Sequence, residues 1–261
     1  MTENPPSENT LSWLVSRPIA HRGLHDEKHG VVENSLTAAR RAIASNYGVE
    51  CDVQMSADGE VFVFHDFTLE RLTDGQGRVS DQSAAQVASR KLRCGGETIP
   101  SLAALLEVIG ADHVLVIEIK SAFTGDMRLA EHTARIVAEH PGRIALKSFD
   151  PQVMAHLRVN RERLGIAGVP LGMVAEAHYD DEEWNFLSAE DKRALANFLH
   201  WDATRPDFLS YSVNDFPHAV PHLLRRALNI PVMTWTVRTP AQYQAASLWA
   251  DQIVFENWIP G

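Results

Sequence analysis

Gly48-Val49-Glu50-Cys51-Asp52-Val53 is an apolar run broken by two acids. Side chains alternate along a strand, so Val49, Cys51 and Val53 share one face and Glu50 and Asp52 the other. The two acidic positions lie roughly 7 Å apart, so their carboxylates can converge on one point. Val114-Leu115-Val116-Ile117-Glu118-Ile119-Lys120 repeats the pattern, with Glu118 and Lys120 sharing a face at the carboxyl end. Two buried strands that aim acids at one side describe a sheet with a polar site at one end.

Working outward, six further short apolar runs follow the same rhythm. They are Ile19-Ala20, Ile144 to Ser148, Val169 to Val174, Phe208 to Ser212, Val232 to Val237 and Gln252 to Phe255. Helix-like segments lie between most of them: Ser35 to Ser45, Ser101 to Ile109, Met127 to Glu139, Pro151 to Asn160, Pro217 to Leu228 and Pro240 to Leu248. Leu36, Ala39 and Ile43 show the helical spacing. Pro217 and Pro240 suit first-turn positions, and Ser101 suits an N-cap. Eight strands alternating with helices predict an α/β fold, a TIM (β/α)8 barrel. An open doubly wound sheet is the rival. It would carry a glycine-rich phosphate loop after its first strand, and none is present.

Two connections are longer than the rest. Residues 54–100 open on the turn signal Asp58-Gly59 and the strand Val61 to Phe64. The stretch 66–100 is too short for a second domain and reads as a small capping insertion after the second strand. Residues 175–206 carry the acidic run Asp180 to Glu183, read as a solvated face, and a helix over Ser188 to Leu199. Residues 1–16 read as an N-terminal tail, with Trp13 and Leu14 docking, and 1–261 as a single domain.

Composition narrows the partners. The 261 residues are 45% hydrophobic and 22% charged, as in an ordinary globular chain. Lys plus Arg is 24 and Asp plus Glu 34, a net charge of −10. That excess argues against nucleic acid or an anionic membrane surface, both of which reward basic patches. No run of about 18 apolar residues predicts a membrane span, and the polar, proline-bearing start leads us to expect no secretory leader. Cys51 and Cys94 cannot make a disulfide framework, so a cytoplasmic setting is expected.

Glu50, Asp52 and Glu118 facing one point would repel unless a cation joined them. An all-oxygen set suits a hard divalent ion, Mg²⁺ or Ca²⁺, better than zinc. The alternative is a purely structural ion network with Lys120 and Arg22. His21 closes the first strand and His65 the hairpin strand, both at the same end. Two imidazoles beside a metal and two cations are what cleavage of a phosphate diester needs. One takes a proton from the nucleophile and the other gives one to the leaving oxygen. Arg22 and Lys120 can bind the non-bridging oxygens. Trp235 is either an apolar wall for the substrate's carbon skeleton or barrel core. His25 and His29 sit in a loop that reads as solvated. Serine-esterase and zinc-hydrolase signatures are absent.

These motifs resemble the glycerophosphodiester phosphodiesterase family. His21-Arg22-Gly23 with Glu33-Asn34 matches its opening pattern. Glu50, Asp52, Val53, Asp58, Gly59, Val61, His65 and Asp66 match its next run. Leu69 to Val79 (with Arg71, Thr73, Gly75 and Gly77), Ile99 to Leu102, Glu118 to Lys120, Ser148 to Asp150 and Trp235 to Val237 follow in family order. The resemblance implies the barrel with its small insertion and one divalent ion on Glu50, Asp52 and Glu118. It implies acid–base work by His21 and His65, and substrate contacts from Arg22, Lys120, Trp235, Glu33 and Asn34. It implies a small-molecule glycerophosphodiester converted to glycerol 3-phosphate and an alcohol. Departures are Val32, Ser35, Arg238 and the closing run Gln252 to Pro260, which bear on the alcohol and glycerol contacts. Two other readings stand beside it. One is a lysophospholipase D or sphingomyelinase D-like enzyme, which would need an apolar trough at the barrel mouth. The other is a barrel that binds phosphodiesters without turning them over.

Overall fold

The computed structural model describes residues 11–260. The strands are β1 (Ile19–Ala20), β2 (Gly48–Met55), β3 (Val61–Val63), β4 (Val114–Ile119), β5 (Arg143–Ser148), β6 (Leu171–Ala175), β7 (Phe208–Ser212), β8 (Val232–Val237) and β9 (Gln252–Phe255). All except β3 run parallel, and β1 pairs with both β2 and β9, which closes an eight-stranded barrel. β3 folds back antiparallel on β2, with Val53 opposite Val63. The barrel expected from the sequence is the fold observed.

Alternation along the strands separates two buried layers. Val49, Cys51, Val53, Leu115, Ile117, Leu146, Met173 and Leu209 point outward into the core beneath the helices. Inside the barrel, Ile19, Val114, Val116, Ala145, Phe208, Met233 and Val254 fill the floor. Gly172 leaves room for the Phe208 ring, whose Cζ would lie 2.3 Å from a Cβ built there. Glu50, Asp52, Glu118 and Lys147 stand above this apolar layer, toward the carboxyl ends of the strands, where barrel enzymes build their sites.

Leu14 docks, as the sequence reading expects. Residues 1–10 lie outside those described, but Ser12–Val15 form a 3₁₀ turn that seats Leu14 in the floor cluster. The Gln252 side-chain amide clamps it by donating to Leu14 O at 3.0 Å and Arg17 O at 2.6 Å. β6 begins at Leu171 rather than Val169, because Pro170 brings no N–H to the ladder.

Helix starts follow their capping chemistry. Ser35, Ser101, Asp150 and Thr239 each accept a backbone N–H in the first turn of the helix that follows. Pro240 is the first helical residue, as expected. Pro217 is not: that helix begins at Ala219 with His218 as its cap. The helix expected over Ser188 to Leu199 runs Ala189–Ala196, and a separate short helix, Trp201–Thr204, follows it. Phe198 between them has φ +58°, which a helix cannot continue through.

The 66–100 insertion carries a short helix, Ala84–Ala88, opened by a Ser83/Gln86 capping box. With β3 it forms a satellite core of Phe62, Phe64, Leu69, Leu72, Val79 and Val87. In the other long connection the acidic run Asp180 to Glu183 is exposed, while Tyr179, Trp184 and Leu195 form a small cluster of their own. No helix among the described residues is long and apolar enough to cross a membrane.

Candidate active site

Above the apolar floor the inward positions of β2, β4 and β5 are charged. Glu50, Asp52 and Glu118 converge as their alternation requires. Each offers an oxygen, and the three oxygens lie within 4.8 Å of one another, all in buried residues. β2 and β4 pair with Asp52 opposite Glu118, so the ladder register itself sets the meeting.

Cations surround the triad. Lys120 Nζ lies 2.9 Å from Glu118 Oε1 and 3.7 Å from Asp52 Oδ1. Arg22 Nε lies 3.2 Å from Asp52 Oδ2, and its backbone N–H donates to Glu50 Oε2 at 3.1 Å. That second contact needs the left-handed turn after β1, with Arg22 at φ +55° and Gly23 at φ +79°. Gly23 is also sterically confined, since a Cβ there would meet Ala38 at 2.8 Å. Burial pushes the Asp52 carboxyl up, but the charges of His65, Arg22 and Lys120 outweigh it and hold it well below the usual range. Glu118 is lowered in the same way: burial opposes, and Lys120 and Lys147 prevail.

Both histidines stand at the rim, each held by a carboxylate. His21 Nδ1 lies 2.5 Å from Glu256 Oε2, and its Nε2 lies 3.9 Å from Glu50 Oε2. His65 Nδ1 lies 2.7 Å from Asp66 Oδ1, and its Nε2 lies 3.2 Å from Lys120 Nζ. The carboxylates favour the tautomers with the proton on Nδ1, which leaves both Nε2 atoms toward the triad and its cations. Glu256 resists burial through hydrogen bonds from His21 and His25 and stays well below the usual carboxylate range.

Glu33 and Asn34 are held within the protein. Glu33 accepts from Arg22 Nη1 at 2.7 Å and from Arg71 Nη1 and Nη2 at 3.0 and 2.8 Å. Asn34 donates to Asp52 Oδ2 at 3.0 Å and accepts the Asp52 backbone N–H at 3.2 Å, so it ties that carboxylate to its own backbone. Trp235 is half-buried; its indole N–H donates to Ser210 O at 3.1 Å and its ring meets Phe149 edge-on at 5.5 Å. His29 is exposed, as the loop reading expects. His25 is not: its side chain is 11% exposed and lies 3.7 Å from Glu256.

Three contributors carry no role in the sequence reading. Lys147 sits 2.9 Å from Glu50 Oε1 and 3.1 Å from Glu118 Oε2. Its parity with Ala145 along β5 was the available signal. Glu256 directly follows β9, and Arg71 reaches back from the insertion to Glu33 and Asp66. A cleft of about 750 Å³ opens beside His21 and Arg22, walled by His25, Arg238, Glu256 and Trp258.

Three all-oxygen donors, converging and buried, fit a hard divalent ion. Two imidazoles with Nε2 turned toward the triad and its cations can move protons at an anionic phosphorus centre.

Comparison with known proteins bears on these features. The model of the family described as "Glycerophosphoryl diester phosphodiesterase family" matches residues 21–255. A glycerophosphodiester phosphodiesterase of Caldanaerobacter subterraneus is 37% identical over 144 residues, which are 51% of this chain and 57% of that relative. The chain thus spans little more than half of that relative's length. A phosphodiesterase of Oleispira antarctica, solved in complex with the product sn-glycerol-3-phosphate, superposes with a TM-score of 0.70 at 22% identity, covering 92% of each chain. A glycerophosphodiester phosphodiesterase of Thermotoga maritima gives 0.67 at 24%, covering 91% of this chain and 92% of that one. At these identities the two superpositions speak for the barrel.

Proposed function

The chain belongs to the glycerophosphoryl diester phosphodiesterase family, and from that membership and the site geometry we propose that it hydrolyses glycerophosphodiesters. The products are glycerol 3-phosphate and an alcohol. One observation carries the reading: two imidazoles, each oriented through Nδ1 by a carboxylate, present Nε2 to a buried acidic triad flanked by Arg22 and Lys120. A purely structural ion network has no use for two such imidazoles at its open rim.

In this scheme Arg22 and Lys120 hold the non-bridging oxygens of the diester. His21 Nε2 takes the proton from the attacking hydroxyl, which is the substrate's own glycerol hydroxyl or water. Glu256 supports the positive charge that forms on that ring. His65 enters the step as the imidazolium and gives its Nε2 proton to the departing alcohol oxygen, with Asp66 holding its ring in place through Nδ1. Where the glycerol hydroxyl attacks first, a cyclic phosphate forms and water then opens it. Glu50, Asp52 and Glu118 would hold one divalent ion, Mg²⁺ or Ca²⁺, which draws charge from the phosphate. Glu33 and Asn34 belong to the substrate-binding shell by holding Arg22 and Asp52. Trp235 lines the apolar side of the mouth. Cytoplasmic residence is part of the same proposal, supported by two cysteines that are both unpaired.

A second reading has one observation in its favour. Phe186 is 56% exposed and packs on Phe123 beside a cavity of about 340 Å³. That is an apolar surface on the 175–206 connection, where an acyl chain of a lysophospholipid could lie. Product analysis separates the two. The enzyme is incubated with glycerophosphocholine, glycerophosphoethanolamine and lysophosphatidylcholine. Glycerol 3-phosphate from the first two supports the proposal; turnover of the third alone favours the second reading. No product from any of them leaves a binding-only barrel.

A further inference from the structure

Glu50, Asp52 and Glu118 bring three negative charges to the site, and the scheme above sets two cations, Arg22 and Lys120, against them. A third cation stands inside the same cluster without a part in that scheme. Lys147 is 2% exposed, and its ammonium bridges Glu50 Oε1 at 2.9 Å and Glu118 Oε2 at 3.1 Å. Its place is dictated by the fold: β5 pairs with β4 so that Lys147 lies opposite Glu118, and its parity turns it into the barrel. A lysine so deep among carboxylates is costly to desolvate and is retained only with its partners in place. With it, three cations match three carboxylates before any ion binds.

We propose that Lys147 is a built-in counter-cation of the carboxylate site, holding Glu50 and Glu118 in position without the divalent ion and keeping that ion weakly bound and exchangeable. The inference rests on Glu50, Asp52 and Glu118 being the ion's ligands. Two effects of one charge are involved. The ammonium relieves repulsion between the acids, so the site stays assembled when empty of metal. It also shares two of the three carboxylates with the ion and repels it across a poorly screened interior. Removing the charge should therefore loosen the metal-free site and tighten the metal-bound one.

Lys147→Met keeps an unbranched stem and removes the charge. Lys147→Gln keeps a donor and removes the charge, and serves where the methionine variant does not fold. Mn²⁺ binding to wild type and both variants is followed by electron paramagnetic resonance of the free ion, with no substrate present. Thermal midpoints are read with and without Mn²⁺. The expected result is at least tenfold tighter Mn²⁺ binding by the uncharged variants. Their metal-free midpoints fall below wild type, and Mn²⁺ raises them by more than it raises the wild type. Equal or weaker binding overturns the proposal, because a merely structural lysine would leave affinity unchanged or lowered on removal. Failure of both variants to fold even with Mn²⁺ also overturns it, since the ion then does not take over the charge. Absence of Mn²⁺ binding by wild type itself overturns the metal reading beneath it, and the wild-type titration tells that failure from the others.

Discussion

His21 and Glu256 stand 235 residues apart in the chain and meet at 2.5 Å where the paired strands β1 and β9 end at the barrel mouth. The contact fixes Nδ1 as the protonated nitrogen and leaves Nε2 for the reaction. Glu256→Gln keeps the size and removes the charge that supports a protonated ring. The expected outcome is a kcat lowered by about 10²–10⁴-fold with little change in KM, as for other orienting carboxylates behind a catalytic histidine. Steady-state kinetics with glycerophosphocholine checks it; an unchanged kcat would show that the pair has no part in the chemistry.

Asn34 binds Asp52 through both ends of its amide, at 3.0 and 3.2 Å, and does so from φ +57°. Asn34→Gly tolerates that backbone but loses both bonds. Leaving buried partners unpaired costs roughly 1–3 kcal/mol. Urea unfolding should show the unfolding free energy fall by that amount, and Mn²⁺ binding should weaken because Asp52 is no longer held. An unchanged unfolding free energy would contradict the role.

Gly172 exists for Phe208. Gly172→Ala puts a Cβ against a ring that fills the barrel floor, at a cost of about 1–3 kcal/mol of overpacking. Adding Phe208→Leu should recover part of the loss, so the two changes are non-additive. Thermal unfolding of the single and double variants measures this, and simple additivity would sink the steric explanation.

Glu176 follows β6 at the barrel mouth. Burial, with the acids Glu183, Asp215 and Asp181 nearby, raises its carboxyl from 4.5 to about 8. A carboxyl raised on folding contributes most below its unfolded pKa and loses that contribution as pH climbs through the folded value. Glu176→Gln stays neutral throughout. Relative to wild type, the variant should therefore gain stability progressively from about pH 4.5 to about pH 8 and level off above. Melting midpoints of both proteins across that range test the sign; a difference independent of pH would refute it.

Much of the site was legible because it rides on period-two strands. Acids interrupting the apolar runs of β2 and β4 stood out, and alternation alone put Glu50, Asp52 and Glu118 on one side. Lys147 did not stand out. One lysine in Ile144 to Ser148 reads as a strand end, and only the β4–β5 register places it beside Glu118. Glu256 resembled any acid after a last strand, since its partner comes from the other end of the chain. His25 reads as loop surface in the sequence because Glu256, which lies against it, is brought there by barrel closure. The helix breaks at Pro217 and Phe198 turn on local backbone geometry that hydrophobic spacing does not encode.

The central claim is that Glu50, Asp52 and Glu118 serve an ion-assisted, two-histidine cleavage of a glycerophosphodiester. The most direct measurement is release of glycerol 3-phosphate from glycerophosphocholine by metal-stripped enzyme, before and after adding Mg²⁺ or Ca²⁺. Wild type, Glu50→Gln and His21→Ala are compared in the same assay. The account predicts negligible release without the ion, recovery in the wild type with one of the two, and no recovery in either variant. Full release by stripped enzyme, or undiminished release by both variants, would contradict it.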